Sequence, residues 1–203
     1  MKLCALTLSL ILFLSSCWDY REANMLDYVF GMGIDVDGGR YNVSLEILNP
    51  KNGKGTVVKA EGSSLKNALD VASTCAGKSL YLGQLRLVVL GESARVNFEE
   101  IVSALVTERR IYQNVALCVS KNAQAVITSK TPNGNMVSEH VSDILANPQT
   151  GKFFTPIELW QVSGEADKRG FTELPIISIS ENGISQVSGM VALFAQSKTQ
   201  KKV

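Results

Sequence analysis

The chain has 203 residues, of which 45% are hydrophobic and 19% charged, a balance that belongs to a globular protein and not to a disordered one. With 20 basic against 19 acidic residues the net charge is +1, which leaves no electrostatic footprint for nucleic acid. Four cysteines, two of them in the first 17 residues, exclude a disulfide scaffold.

Lys2 and the apolar run that follows it to Leu14 open the chain. A run of about 12 residues is too short for a bilayer core that takes ~20 residues of helix, but it suits a secretory signal. Leu14-Ser15-Ser16-Cys17 closes the run with two small residues and a cysteine, the pattern of a bacterial lipobox. There the signal is removed before the cysteine, whose thiol takes a diacylglycerol. The expected organisation is a signal peptide at 1–16, then Cys17 as lipid anchor on a polar tether to residue 27. An α/β domain is expected at 28–183, and a last strand with a polar tail at 184–203.

Residues 28–35 are apolar and β-prone, and Asp37-Gly38-Gly39 is a turn signal. Tyr41, Val43, Leu45 and Ile47 alternate with polar residues, so the two runs predict a hairpin. A loop at 49–55 leads to a strand at 56–60. Leu65, Ala68, Leu69, Ala72, Cys75 and Ala76 recur at helical spacing, with Ser63 or Ser64 to cap the start and Gly77 to end the helix. Residues 85–90 read as a central strand. Asn97 with Glu100 forms a capping-box variant ahead of a second helix carrying Phe98, Ile101, Val102, Leu105 and Val106.

Residues 115–119 read as another buried strand, and Asn122 caps a short helix to Ile127. After the break Pro132-Asn133-Gly134-Asn135, Val137, Val141, Ile144 and Leu145 resume helical spacing until Pro148. Thr155-Pro156-Ile157-Glu158 predicts a further helix start, and 164–170 a polar exposed stretch. Strands at 176–179 and 184–194 flank the turn Glu181-Asn182-Gly183. The last strand is expected to end in an exposed apolar edge, because the tail behind it is polar. Alternating strands and helices with at least one hairpin predict an α/β (α+β) layer fold with a mixed β-sheet.

Several patterns resemble chemical sites without meeting their requirements. Ala72-Ser73-Thr74-Cys75-Ala76-Gly77-Lys78-Ser79 matches a relaxed phosphate loop, but such a loop must follow a strand and open a helix, and here the helix comes first. Lys78 is expected to compensate the dipole of that helix. Asp35, Asp37 and Glu46 occupy positions 1, 3 and 12 of a calcium loop whose position 6 is Arg40 where glycine is needed. Gly31-Met32-Gly33 lacks the third glycine of a dinucleotide fingerprint and reads as a bulge or a close backbone approach. His140 is the one histidine, with no metal-ligand spacing around it. Cys75 and Cys118 sit in apolar patterns, which points to two buried free thiols, with a disulfide between them as the alternative. No catalytic residue, cofactor, metal or nucleotide site is expected.

The blocks Cys17-Trp18-Asp19 with Glu22, Gly31-Met32-Gly33-Ile34-Asp35, Glu61-Gly62, and Leu80-Tyr81-Leu82-Gly83-Gln84-Leu85-Arg86-Leu87-Val88-Val89-Leu90-Gly91-Glu92-Ser93-Ala94 resemble those of the Ger(x)C family of spore germination lipoproteins. These are the C subunits of nutrient germinant receptors. The family often has histidine where Gln84 stands. The resemblance implies a non-enzymatic subunit, held at the outer face of a membrane through Cys17 and acting with integral-membrane A and B subunits. It also implies a chain that corresponds to the N-terminal domain of a longer, here truncated, subunit. The alternative is an outer-surface lipoprotein enzyme or ligand-binding protein whose site has no sequence signature.

Overall fold

A computed structural model describes residues 25–147, 149 and 157–194. Cys17, Trp18, Asp19 and Glu22, and the helix start expected at Thr155-Pro156, lie outside the described residues. The described chain runs β1 (Leu26–Asp37), β2 (Arg40–Leu48), β3 (Gly55–Gly62), α1 (Leu65–Cys75), β4 (Ser79–Tyr81), β5 (Leu87–Gly91), α2 (Phe98–Thr107) and β6 (Ala116–Ser120). It continues through α3 (Ala123–Ile127), α4 (Val137–Ala146), β7 (Ile157–Glu158), α5 (Leu159–Arg169), β8 (Phe171–Ile179) and β9 (Ser185–Phe194).

All nine strands form one mixed sheet in the order β3-β2-β1-β5-β6-β8-β9, with β4 beside β1 and β7 beside β6. The centre, β1-β5-β6-β8, is parallel. Antiparallel hairpins flank it on both sides, β1-β2-β3 on one and β8-β9 on the other. Parallel strands need covered faces, and β5 is accordingly buried along its whole length. On one face α1, α2 and α5 pack Leu65, Leu69, Phe98, Ile101, Leu105 and Val162 against Met32, Ile34, Val88, Leu90 and Leu117. On the other, α3 and α4 pack Val126, Ile127, Val141 and Leu145 against Leu87, Val89 and Cys118.

Local chemistry accounts for most boundaries. Gly38 and Gly39 make the hairpin turn at φ +53° and +78°, values that a side chain resists. A bulge between Val29 and Gly31 shifts the alternation of β1, so Val29 shares a core with Met32 and Ile34. Ser64 caps α1 by accepting from the Asn67 amide at 3.2 Å. Asn122 caps α3 by accepting from the Ala125 amide at 2.6 Å.

Some expectations need correction. α1 ends at Cys75 with Ala76 extended, so Gly77 supplies no left-handed stop. The Asn97 side chain makes no capping bond to α2, because a 3-10 turn over Glu92–Asn97 already leads the backbone into the helix. Ile157–Glu158 pairs with β6 as a short strand before the helix opens at Leu159. The polar stretch at 164–170 is exposed from Lys168 to Gly170, as expected, and runs to Arg169 as the second half of α5. Cys75 is exposed and only Cys118 is buried; both are free thiols. Cys75 falls past Ala72, the last residue of α1 that reaches the core. β9 is an edge strand whose large apolar side chains are buried or half-buried from Ser185 to Leu193, while the side chain of Phe194 at its end lies outside the described residues. Leu193 is buried and Ile184, Val187, Met190 and Val191 are half-buried, because α4 packs over β9 and Val187 and Val191 join the two cores.

Candidate functional site

The motif Gly31-Met32-Gly33-Ile34-Asp35 becomes a docking surface for α3. Gly31, Gly33 and Asp35 alternate along β1 and share a face. A Cβ on Gly33 would lie 3.0 Å from the Ala123 carbonyl oxygen and 3.0 Å from Ile127 Cγ1. One on Gly31 would lie 3.0 Å from Ser138 Cβ. Glycine at both positions therefore lets α3 and the start of α4 approach the sheet closely. Asp35 then accepts the Ala123 amide at 3.0 Å and the Gln124 amide at 2.9 Å. With the Asn122 bond to Ala125, three of the four amides that a helix start leaves open have partners. A helix of five residues would not persist alone; this one is held by the strand it lies on.

Glu46 does the same for α4. It is 2% exposed, and its carboxylate accepts the Val137 amide at 2.6 Å and the Ser138 amide at 2.8 Å. A buried carboxylate needs paired hydrogen bonds, and a helix N-terminus offers them along with a favourable dipole. The three acids that partly match a calcium loop thus part company: Asp35 and Glu46 cap two helices, and Asp37 is exposed at the hairpin turn. Gly55 leaves room for Glu46, since a Cβ there would come within 2.5 Å of its Oε1.

The long block around β5 meets the same centre. Gly91 sits beside Asp35, and a Cβ on it would fall 1.8 Å from Asp35 Oδ1. Two residues on, Ser93 Oγ accepts the Val36 amide at 3.0 Å. Gly83 lies under the Tyr81 ring, and Gln84 is exposed. Gly62 brings α1 back onto β3, where a Cβ would meet Ala68 N at 2.3 Å. Glu61 pairs with Arg40 across the hairpin at an exposed position. Glu92 is 4.0 Å from Arg95 and mostly exposed. So Gly31, Gly33, Asp35 and Gly91 come together, while Glu61, Gly62, Gly83 and Glu92 stand at separate places. Glu46 and Ser93 complete the centre and carry no sequence signature of their role.

An open cleft of about 430 Å³ lies beside Glu46, lined also by Lys54, Gly55, Thr128, Lys130 and Asn135. Both Glu46 oxygens are engaged by amides, which fits a structural cap better than a proton-transfer group. Among the described residues no group of three His, Cys, Asp or Glu side chains is placed to hold a metal ion. His140 is half-buried on α4, with its Nε2 buried and without a partner among the described residues. Residues 72–75 are the last turn of α1, and the Lys78 amide beyond it donates to Asp27 at 3.1 Å. The phosphate-loop pattern therefore has the reverse of the geometry that such a loop requires. Burial raises the thiol pKa of Cys118 well above its ordinary value, so this side chain is an apolar filler of the α3–α4 layer.

These features define an α/β/α domain in which Gly31, Gly33, Asp35 and Gly91 fasten a helix and two strands to one another. The chain belongs to the family described as the spore germination protein N-terminal domain, whose model matches residues 19–179. Two curated relatives from Bacillus subtilis (strain 168) are similar to it. Spore germination protein KC is 32% identical over 104 residues, 44% of this chain and 26% of the relative. Spore germination protein B3 is 23% identical over 195 residues, 89% of this chain and 52% of the relative. The chain thus spans about half or less of the length of these relatives. No solved structure gives a significant match.

Proposed function

We propose that this chain is the N-terminal unit of a germinant-receptor C subunit, anchored by a diacylglycerol on Cys17 to the outer face of the spore inner membrane. It acts there as a non-enzymatic scaffold for the integral-membrane A and B subunits in nutrient-triggered germination. The observation that carries the reading is the family match over residues 19–179, which begins two residues after the lipobox cysteine. The arrangement of Gly31, Gly33, Asp35 and Gly91 supports it, since these motif residues are engaged in holding a helix to the sheet. Membrane anchoring rests on Leu14-Ser15-Ser16-Cys17, because no helix of the described residues is long and apolar enough to cross a bilayer.

The test is expression in a spore former that lacks its own C subunit, scoring membrane fractionation and nutrient-triggered germination together. Cys17→Ala should leave the protein unprocessed or release it from membranes. An unmodified Cys17 in a correctly secreted, membrane-bound protein would overturn the anchor. Catalytic turnover by the purified chain would overturn the scaffold.

A further inference from the structure

We infer that the end of the sheet from which β1, β5 and β6 start is the surface that rests on the bilayer, with Trp160 and Tyr112 seated in its interfacial zone. The inference rests on the anchor proposed at Cys17 and adds which face of the domain meets the lipid. Strands β1, β5 and β6 are parallel neighbours, so their first residues lie at one end of the molecule. Five large apolar side chains stand out from the described surface: Met25, Val96, Tyr112, Trp160 and Ile179. Met25 directly precedes β1, and Tyr112 lies in the approach to β6. Trp160 is placed beside Tyr112 by the bond from its amide to the Gln113 carbonyl, 3.1 Å. Val96 follows β5 and Ile179 ends β8, at the opposite end.

Trp160 is 56% exposed and Tyr112 62%, and both present rings to solvent. The Trp160 indole N–H donates to Glu158 at 2.6 Å, so the polar edge of the ring has its partner. Tryptophan and tyrosine with one polar and one apolar end are the side chains that concentrate at membrane–water interfaces.

The tether supplies the occupant. Seven residues separate Cys17 from Met25, so across these eight peptide steps Met25 cannot stand farther than about 29 Å from the anchored cysteine. The hairpin turn at the other end of β1 lies a further ~40 Å away along the strand. The lipid therefore reaches the aromatic end and not the Gly38-Gly39 end. Charge at this end is mixed: Arg110 pairs with Glu108 at 2.8 Å and Arg86 lies 3.7 Å from Glu139, while Lys78 and Arg109 are exposed. Ring insertion is the contact that Trp160 and Tyr112 offer, and because it is not electrostatic it should withstand salt.

The full chain has two tryptophans, Trp18 and Trp160. In the lipidated Trp18→Phe variant, purified into vesicles of phosphatidylcholine and phosphatidylglycerol without other proteins, Trp160 is the sole reporter. Expected are a blue-shifted Trp160 emission and loss of its larger part when the acyl chains are brominated, both unchanged in high salt. Protein that floats with the vesicles while Trp160 keeps the emission of the detergent-free soluble domain overturns the face assignment and leaves the anchor standing. Protein that fails to float overturns the anchor, and this inference with it. Quenching abolished by salt would replace ring insertion by headgroup attraction and overturn the inference as stated.

Discussion

Asp35 shows how one side chain can join three elements. It stands on β1, closes the open amides of α3, and lies against β5 at a point where no Cβ could fit. Asp35→Ala removes two charge-assisted bonds at a helix start and should cost about 1–2 kcal/mol of unfolding free energy. Gly91→Ala should cost at least as much, because the new methyl group must expel the carboxylate or push apart β1 and β5. The two losses should not add. With the carboxylate gone, the nearest remaining atom to an added Cβ is the Ile34 carbonyl oxygen at 3.3 Å, a contact that small shifts relieve. Denaturant titration of both single variants and the double variant reads this directly. A double variant near Asp35→Ala alone is the expected result, and full additivity would mean that Gly91 serves something other than the acid.

At the scale of elements, Glu46 decides whether α4 stays on the sheet. Glu46→Ala leaves the Val137 and Ser138 amides buried and unpaired and should destabilise by about 2–4 kcal/mol. Amide exchange should quicken first at Val137 and Ser138, ahead of the β5 amides, since α4 would fray before the central strands open. Protection equal to wild type at these two amides would rule out the capping role. The elements themselves were largely legible in the sequence. Alternation at Tyr41, Val43, Leu45 and Ile47 and the 3-4 spacing from Leu65 are local signals, as are the caps at Ser64 and Asn122. Thr155-Pro156-Ile157-Glu158 misled because its helix grammar was local, whereas the pairing of Ile157 with Leu117 is made across the sheet. The centre at Asp35 was legible only as a resemblance. What Asp35 and Glu46 cap lies about 90 residues away in sequence, and no periodicity carries a contact of that range. Exposure of Trp160 and Tyr112 was likewise hidden, since aromatic residues next to apolar runs read as core until the packing is known.

For the whole molecule, two ionisable groups set opposite limits on the pH range of stability. Glu108 follows α2 and receives a two-pronged hydrogen bond from Arg110, Nε and Nη2 both at 2.8 Å. That bond, against the opposing effect of burial, holds its carboxyl below the ordinary 4.5. A depressed acid contributes its stability above the unfolded pKa and loses it as pH falls through the folded value, so the loss sets in below about pH 4.5. Tyr41 lies in the core on β2, 3% exposed, with its hydroxyl near the side chains of Glu100 and Asn97. Burial first, and then the neighbouring Glu100, raise its pKa from 10.0 to about 12. A raised group contributes fully below the unfolded value, and here that contribution drains away as pH climbs from 10.0 to about 12. The expected profile is a plateau through neutral pH with a decline on each side. Tyr41→Phe should flatten the alkaline decline, and its effect at neutral pH reads what the hydroxyl contributes beside Glu100 and Asn97. Glu108→Gln should soften the acid decline and leave the alkaline one unchanged. Unfolding free energies measured by urea titration across the pH range decide the matter. An alkaline decline that survives in Tyr41→Phe would assign that limit to another group.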